Sequence, residues 1–290
     1  MKNTCAWPAL TFIALLSMGE PVAAMVMGVP PQPGDRRFDA VGSFGFTGWL
    51  NGSRFADNWW GAATLIAPDV VLTARHNLSS NPAEWTSGNY AVRFRSQPDG
   101  TIQHKAANGV YPFLAPVRQW IVPPSGDIAL RILQSPVSHI RPIPVDLGQL
   151  TVGQPITLAG WGSEAATFVG NPRNQLLLVD TTVTATGPTF VGFPSAFVSG
   201  GAATRPGPNL HDSGGAILSF DARGNPVYRG LITTLGGGTG LEQYAGTPFG
   251  ALLSPVPVPV PEPASVLMLG VGLSGLLCFH WCRRGRARGE

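Results

Sequence analysis

Short apolar or alternating runs, separated by glycine, proline, asparagine and aspartate, fill the middle of the chain. Runs of this kind are typical of β-strands, and turn-forming clusters such as Ala67-Pro68-Asp69 bound several of them. No long segment between the two ends shows the 3.6-residue period of a helix. The pattern therefore predicts an all-β body, built as a barrel or a sandwich. The nine predicted strands are Ala62–Ile66, Val70–Thr73, Tyr90–Arg95, Ile128–Leu133, Pro155–Gly160, Gln175–Thr186, Gly215–Phe220, Val227–Thr234 and Pro248–Leu253.

The N-terminus has a different pattern. Lys2 is followed by an apolar run, Ala6–Met18, and then by the small residues Val22-Ala23-Ala24. A positive charge, an apolar run of this length and small residues at this distance are the parts of a secretory signal peptide. We therefore predict a signal peptide over residues 1–24, cut after Ala24. The alternative is a buried first helix.

The C-terminus is also distinct from the body. Residues 255–263 read PVPVPVPEP, which predicts an extended proline-rich linker. Residues 264–282 are uncharged and mostly apolar, long enough for a transmembrane helix. The arginine-rich tail over residues 283–290 follows directly, and arginines in this position favour a cytoplasmic location for that end. The alternative, a nucleic-acid-binding patch, is disfavoured by the apolar span that precedes the arginines.

The amino-acid composition excludes several classes of protein. Of the 290 residues only 12% are charged, and the formal net charge of +3 comes largely from the C-terminal tail. This argues against a charged disordered chain and against a nucleic-acid partner. The three cysteines, Cys5, Cys278 and Cys282, all lie near the ends. The body is therefore not a disulfide-stapled scaffold.

Three reactive residues stand next to predicted strands. His76 follows the strand in LIAPDVVLTARHNL, Asp127 directly precedes the strand in SGDIALRIL, and Ser213 precedes two glycines and a strand in HDSGGAIL. Each alone has an ordinary structural interpretation as a polar residue at a strand end or turn. Together they supply a serine nucleophile, a base for its proton and a carboxylate that orients the base.

These motifs resemble those of the trypsin-like serine proteases of the chymotrypsin fold. TLIAPDVVLTARH is similar to that family's histidine motif, GDIAL to its aspartate motif, and HDSGGAIL to its serine motif. GWG at Gly160–Gly162 and the segment YRGLITTLGG also match landmarks of the family. The resemblance implies two six-stranded antiparallel β-barrels within a protease domain over residues 38–254.

The resemblance also implies a role for each residue. Ser213 is the nucleophile, His76 the general base and then acid, and Asp127 the group that fixes the imidazole. The backbone N–H groups of His211 and Ser213 form the oxyanion hole. Asp212 is a structural carboxylate, which in active members of the family pairs with a buried N-terminal ammonium group.

Several positions depart from the family pattern. His211 replaces a glycine whose backbone conformation is costly for other residues. Asn77 replaces the cysteine that follows the histidine, and Gly61 stands at the position of its disulfide partner, so that bridge is absent. No Ile-Val-Gly-Gly N-terminus is found. Residues 25–37 are therefore a leader, or a propeptide that ends at Arg36-Arg37.

The substrate pocket is a further prediction from the resemblance. The pocket base lies six residues before the serine, which is Gly207 here and carries no carboxylate. Thr233, Thr234 and Gly236 are expected to line the wall, which favours uncharged side chains over lysine or arginine. No cofactor and no metal site are predicted.

A second resemblance concerns the sorting of the protein. The motif Val260-Pro261-Glu262-Pro263, the apolar span and the arginine cluster resemble the PEP-CTERM sorting signal of Gram-negative bacteria. In that family a membrane protease called exosortase is thought to cut near the PEP motif. The resemblance implies an inner-membrane anchor before processing, and then release to the periplasm, cell surface or extracellular matrix.

The resulting hypothesis is an exported, monomeric serine endopeptidase. It would hydrolyse a polypeptide substrate through an acyl-enzyme, and its other partners would be the export machinery and an exosortase-like protease. The alternative is a catalytically inactive protein of the same fold that acts in binding or in a matrix at the cell surface.

Overall fold

The computed structural model describes Met25 and residues 28–50, 53–78, 90–96, 114–162, 175–195, 206–209 and 211–253. The predicted signal peptide, linker, transmembrane helix and arginine-rich tail therefore lie outside the described residues. Within the described part of the chain, no helix is long and apolar enough to cross a membrane. The described residues all belong to one compact unit, Met1–Ser254.

Six antiparallel strands in the first half of the body close into a barrel, the first barrel. The strands are β1 (Val41–Leu50), β2 (Ser53–Ala67), β3 (Val70–Thr73), β4 (Tyr90–Arg93), β5 (Leu114–Ile121) and β6 (Ala129–Leu133). Their order is β1-β2-β3-β6-β5-β4, so the long hairpin of β1 and β2 is joined to β6 through β3 on one side and through β4 and β5 on the other.

Seven antiparallel strands in the second half form a curled sheet, the second sheet. The strands are β7 (Pro155–Gly160), β8 (Leu177–Thr182), β9 (Ala185–Gly187), β10 (Phe190–Gly192), β11 (Ala216–Phe220), β12 (Pro226–Thr234) and β13 (Gly237–Gly240). Their order in the sheet is β8-β7-β11-β12-β13-β10-β9. The edge strands β8 and β9 are separated in the chain by Val183 and Thr184 alone, so the sheet must curl until its edges approach.

This architecture confirms the predicted all-β body of two antiparallel β-units. The second unit has seven strands because residues 185–192 form a short hairpin, β9 and β10, instead of one strand. The predicted strand Gln175–Thr186 is divided between β8 and β9. Four strands were not predicted: β1, β5, β10 and β13.

One predicted strand is wrong, because Pro248–Leu253 forms a helix, α1. Thr247 precedes it, and its hydroxyl accepts a hydrogen bond from the Gly250 N–H at 3.0 Å. A threonine cap followed by proline at the first helical position is a typical helix start. Phe249 and Leu253 are buried by the helix, and this burial produced the apolar pattern that resembled a strand.

The first barrel and the second sheet share a hydrophobic cluster. It includes Phe44 and Leu72 of the first barrel together with Leu218 and Leu231 of the second sheet. Trp161, the tryptophan of the GWG motif, donates its indole N–H to the Val41 carbonyl at 2.9 Å. Strand β1 is thus hydrogen-bonded to the segment that follows β7.

A buried arginine lies inside the first barrel. The Arg131 guanidinium carbon is 3.7 Å from the centroid of Trp120, 4.5 Å from that of Phe44 and 5.1 Å from that of Tyr90. Arg131 is 0% exposed. Burial lowers its pKa well below the usual value of arginine, with a small opposing effect of Tyr90. The aromatic faces offset part of the desolvation of the cation.

The segment before β1 is attached to both β-units. Val29 forms an antiparallel bridge with Leu178 of β8, with N–H to O distances of 2.9 and 2.8 Å. Nearer β1, the buried Asp39 carboxylate accepts hydrogen bonds from Arg95 at 2.8 and 3.0 Å and from Arg36 at 3.1 Å. Residues 28–40 are therefore part of the folded body.

Candidate active site

His76 and Asp127 form a two-point contact. His76 lies in a single 3-10 turn, Arg75–Asn77, directly after β3, and Asp127 lies just before β6. Because β3 and β6 are neighbours in the first barrel, the two residues meet at the same end of the pair. His76 Nδ1 is 2.6 Å from Asp127 Oδ2, and the His76 N–H donates to Asp127 Oδ1 at 2.9 Å. This contact holds Nδ1 as the protonated nitrogen and leaves Nε2 as the basic one.

The charge state of Asp127 follows from its surroundings. Burial acts to raise the pKa of this carboxyl, but the hydrogen bonds and the charge of His76 outweigh burial, so that the pKa lies below its usual value.

Tyr244, a residue that the sequence did not single out, donates its hydroxyl hydrogen to the Ser125 carbonyl at 3.1 Å. Burial and the Asp127 charge raise the pKa of Tyr244 to about 12. Tyr244 therefore stays neutral and supports the turn that presents Asp127.

Ser213 lies in the turn that leads into β11. The Gly215 N–H closes the turn on the Asp212 carbonyl at 2.8 Å, and the Gly214 N–H bonds to Ile232 of β12 at 2.8 Å. Gly214 has a φ of 83°, and a Cβ there would collide with the Ala62 carbonyl. Only glycine fits this position, which accounts for the residue after the serine.

The Ser213 side chain is partly exposed. Within the described part of the chain, neither its hydroxyl nor its N–H makes a hydrogen bond. The contact from Ser213 to His76 that a serine nucleophile requires is therefore not formed here. Such contacts are often long in substrate-free sites and shorten when substrate binds.

Asn77 joins the serine turn to the histidine turn. Its amide Nδ2 donates to the Ser213 carbonyl at 2.8 Å and to Thr73 Oγ1 at 3.1 Å. The Ala62 N–H donates to the same Ser213 carbonyl at 2.8 Å. A Cβ on Gly61 would lie 2.9 Å from Asn77 Cγ, so these two positions face each other directly. The hydrogen bonds of Asn77 thus lie at the two positions where the resemblance implied a disulfide that this chain lacks.

The residue before the Asp-Ser pair has an unusual backbone. His211 has a φ of 72°, in the left-handed region that favours glycine. The resemblance led us to expect a costly backbone conformation at His211, and its positive φ confirms this expectation. The cost applies at one of the two residues predicted to provide oxyanion donors.

Asp212 is completely buried and is held by backbone donors. Its Oδ1 accepts a hydrogen bond from Gly162 N at 2.7 Å. Its Oδ2 accepts hydrogen bonds from Asn209 N at 2.8 Å and from Met25 N at 3.2 Å. The sequence did not single out Met25, although it is the residue that follows the predicted signal-peptide cut.

The predicted pocket residues lie on the second sheet and beside it. Gly207 is buried, Thr233 and Thr234 end β12, and Gly236 lies in the turn to β13. The Thr234 hydroxyl donates to the Gly237 carbonyl at 3.2 Å. Residues 163–174 and 196–205 lie outside the described residues. The pocket assignment remains a prediction.

Comparison with known proteins identifies the family of the chain. The family model described as Trypsin matches residues 30–246, and the model described as PEP-CTERM protein-sorting motif matches residues 259–284. A search of the curated proteins finds no match. The first match covers most of the chain and includes the positions of His76, Asp127 and Ser213. The chain therefore belongs to the trypsin family, and it ends in a PEP-CTERM sorting motif of exported Gram-negative proteins.

Proposed function

We propose that the protein is a serine endopeptidase that hydrolyses peptide bonds through an acyl-enzyme. The observation that carries the proposal is the two-point contact of Asp127 with His76, in a turn whose next residue, Asn77, donates to the Ser213 carbonyl. A histidine held in this way has one nitrogen free to accept the serine proton. The order of the three residues along the chain and the trypsin-family match support the same reaction.

The reaction would proceed in two steps. Ser213 Oγ attacks the substrate carbonyl carbon while His76 Nε2 takes the hydroxyl proton and then gives it to the leaving amine. Water, deprotonated by the same nitrogen, hydrolyses the acyl-enzyme and restores the serine. Asp127 stabilises the imidazolium formed in each step. The N–H groups of Ser213 and His211 would stabilise the oxyanion, each contributing about 3 kcal/mol.

Labelling with a fluorophosphonate tests this function. The reagent forms a covalent bond with an activated serine, so wild-type protein is expected to take up one label and Ser213→Ala none. Asp127→Asn, which keeps the shape but holds the wrong tautomer, is expected to label about four orders of magnitude more slowly. Absence of Ser213-dependent labelling on correctly processed protein would contradict the proposal.

The side-chain preference follows from the predicted pocket. Gly207 at the pocket base supplies no carboxylate, so we propose cleavage after uncharged residues. A peptide library resolves this directly, because rapid cleavage after arginine with none after apolar residues would contradict it. A polypeptide substrate, a monomeric state and the absence of any cofactor requirement are parts of the same proposal.

We also propose a temporary membrane anchor. The PEP-CTERM match supports anchoring through residues 264–282, followed by cleavage near Pro261-Glu262-Pro263 by an exosortase-like protease. Release to the periplasm, cell surface or matrix would follow. Intact-mass measurement of the protein before and after release checks the cleavage point.

One observation favours a second candidate, a catalytically inactive trypsin-fold protein that binds at the cell surface. The positive φ at His211 places a strained residue in the oxyanion turn. If this strain prevents the two N–H groups from converging, the serine would not react. The labelling experiment separates the two candidates.

A further inference from the structure

A cavity of about 260 Å³ lies at the distal ends of two strands that position the proposed triad. Asp127 precedes β6 and Ser213 precedes β11, whereas the cavity is lined by the chain that follows these strands, residues 141–144 after β6 and the turn that begins at Asp221 after β11. Each strand has five residues and is roughly 17 Å long, so the cavity does not overlap with the triad. We propose that this cavity binds an acidic segment of a polypeptide, as a docking site separate from the proposed catalytic centre.

Two arginines of the chain before β1, Arg36 and Arg37, line the cavity in fixed positions. Each pairs with an aspartate of its own segment. Each also donates to a backbone carbonyl of another segment, Arg36 to that of His139 at 3.2 Å and Arg37 to that of Gly224 at 2.9 Å. Because both guanidinium groups are held before a ligand binds, less side-chain entropy is lost on binding.

A third arginine, Arg141, supplies a positive charge for a ligand. Its side chain is exposed and makes no hydrogen bond or ion pair with any residue that the structure describes. The one carboxylate in the lining belongs to Asp221, and it accepts hydrogen bonds from the backbone N–H groups of Arg223 and Asn225 at 2.8 Å. The lining residues and the ion pairs that they form contain four arginines and three aspartates, so the cavity favours an anionic group. These residues are Arg36, Arg37, Arg95, Arg141, Asp35, Asp39 and Asp221.

The wall between these charges is apolar. Residues 142–144, Pro-Ile-Pro, and Pro226 form it. Proline has no N–H group, and the Ile143 N–H already donates to the Leu65 carbonyl at 3.0 Å, so this wall offers no free N–H donor. Phe220, the cross-strand partner of Pro226, is 43% exposed and extends the apolar surface. The ligand should therefore carry an anionic group next to apolar groups.

These features favour a polypeptide over other anions. A nucleic acid requires a row of cations along its phosphates, and here a single arginine is unpaired among the described residues of the lining. A sugar acid has ring hydroxyl groups, and the wall offers them no N–H donor. A glutamate or aspartate beside proline or aliphatic residues satisfies both parts, because its planar carboxylate matches the guanidinium fork. The volume lies just below the range of about 300–1,000 Å³ of small-molecule sites, so only a short stretch of chain would enter.

Fluorescence anisotropy with a labelled peptide tests the proposal. The probe carries fluorescein and alternates glutamate with proline and valine, and its matched counterpart has glutamine for glutamate. The full-length chain, in a non-ionic detergent, carries Ser213→Ala so that the probe is not hydrolysed. We expect the glutamate peptide to bind at least about tenfold more tightly than the glutamine peptide, and Arg141→Gln to remove most of this preference. The matched control is Arg118→Gln, at an exposed arginine of β5 that does not line the cavity, and it should keep the preference. Equal affinities for the two peptides, or equal effects of the two variants, would overturn the proposal.

Two further measurements identify the place and the class of ligand. Phenylglyoxal modifies accessible arginines, and peptide mass spectrometry reads each position. The glutamate peptide should slow the modification of Arg141 about tenfold and leave that of Arg118 unchanged. Equal protection of both would overturn the assignment of the site. Tighter Arg141-dependent binding of an oligodeoxynucleotide, an oligogalacturonate or inorganic phosphate would overturn the assignment to a polypeptide.

The docking site does not depend on the proposed peptidase function. With Ser213 intact, Arg141→Gln should react with a fluorophosphonate at the wild-type rate, because Arg141 follows β6 and the triad residues precede β6 and β11. Slower labelling of Arg141→Gln would overturn the separation of the two sites. If no form of the protein is labelled while the glutamate peptide binds in an Arg141-dependent way, the docking site stands and the peptidase function is contradicted.

Discussion

Replacing both Gly61 and Asn77 by cysteine tests whether the Asn77 amide stands in for a covalent bridge. A Cβ on residue 61 lies 2.9 Å from Asn77 Cγ. Since a carbon–carbon bond is about 1.5 Å long, the two Cβ atoms of a cysteine pair are at most about 4.4 Å apart, within the range of about 3.5–4.5 Å found in disulfides. The geometry therefore predicts that the bridge forms.

The expected magnitude combines a gain and a loss. Closing a loop of about 15 residues stabilises the folded state by about 3 kcal/mol. The double variant loses the Asn77 hydrogen bonds to Ser213 and Thr73, worth about 1 kcal/mol each. A Cβ on residue 61 also lies 2.9 Å from the Ser213 carbonyl, which requires a small shift of the chain. We expect the free energy of unfolding of the oxidised variant to exceed that of wild type by at most about 1 kcal/mol. It should exceed that of the reduced variant by about 3 kcal/mol.

Thermal melting with and without reductant measures this difference. For a domain of this size about 1 kcal/mol corresponds to a shift of about 2–4 °C in Tm, so reduction should lower Tm by about 6–12 °C. The three native cysteines, Cys5, Cys278 and Cys282, are replaced by serine to prevent mispairing. The control is Asn77→Ala, which should melt near the reduced double variant because it lacks the same hydrogen bonds.

Two results would refute the reasoning. If the thiols of the double variant do not pair under mild oxidation, residues 61 and 77 do not face each other as described. If Asn77→Ala has the same Tm as wild type, the Asn77 amide does not stabilise the serine turn. A further check is non-additivity: Gly61→Ala should be more harmful next to Asn77 than in the Asn77→Ala background. The closest collision of the added Cβ is with Asn77 Nδ2, and without this amide only the 2.9 Å approach to the Ser213 carbonyl remains.

Four other predictions follow from single contacts. The pKa of Asp127 is lowered in the fold, so its charge stabilises the protein above the ordinary aspartate range, and this stabilisation is lost as pH falls through the lowered pKa. The Tm values of wild type and Asp127→Asn should therefore differ most above the ordinary aspartate range and converge as pH falls below it. Tyr244→Phe removes the hydrogen bond to Ser125 and should lower the free energy of unfolding by about 1 kcal/mol in urea titration, with slower fluorophosphonate labelling. Arg131→Met removes a buried cation but keeps most of its volume, and should raise the free energy of unfolding by about 1–4 kcal/mol, whereas Arg131→Ala leaves a cavity and should lower it. His211→Gly removes the cost of a positive φ and should stabilise the protein by about 1 kcal/mol while increasing the labelling rate.

Each of these has a clear contrary result. A difference between wild type and Asp127→Asn that stays constant as pH falls below the ordinary aspartate range would mean that the carboxylate is not stabilised by His76. Unchanged labelling in Tyr244→Phe would remove its role in presenting Asp127. Destabilisation by Arg131→Met would show that the aromatic faces fully compensate the buried cation, and slower labelling of His211→Gly would show that the imidazole itself is needed.

Local sequence patterns were sufficient to predict most strands and to single out His76 and Asp127, which the structure brings into contact, whereas the role of Ser213 stays a prediction. His76, Asp127 and Ser213 each stand directly beside a strand whose apolar pattern is clear, so a short window contains both the reactive residue and the element that positions it. Strand β13 shows the opposite case. Its sequence, GGTG, has no β-preference of its own and forms a strand because β12 and β10 pair with it on both sides.

The contacts that complete the site were beyond sequence patterns for a physical reason. Met25 meets Asp212 across 187 residues of chain, and Asn77 meets the Ser213 carbonyl across 136. No periodicity links such positions, since they are brought together by the closure of the two β-units. The sequence did contain a hint of the first contact, because Met25 follows the predicted signal-peptide cut at Ala24.

The proposed triad is divided between the first barrel and the second sheet. His76 and Asp127 come from the former, Ser213 from the latter, and Asn77 spans the junction. Reactivity thus depends on the docking of two halves, each of which has strands and hydrogen bonds of its own. Slight separation of the halves on heating would uncouple the serine from its base while both remain folded. Activity is then expected to be lost at a lower temperature than the one at which secondary structure melts. A covalent inhibitor that contacts both halves would reduce the difference between these two temperatures.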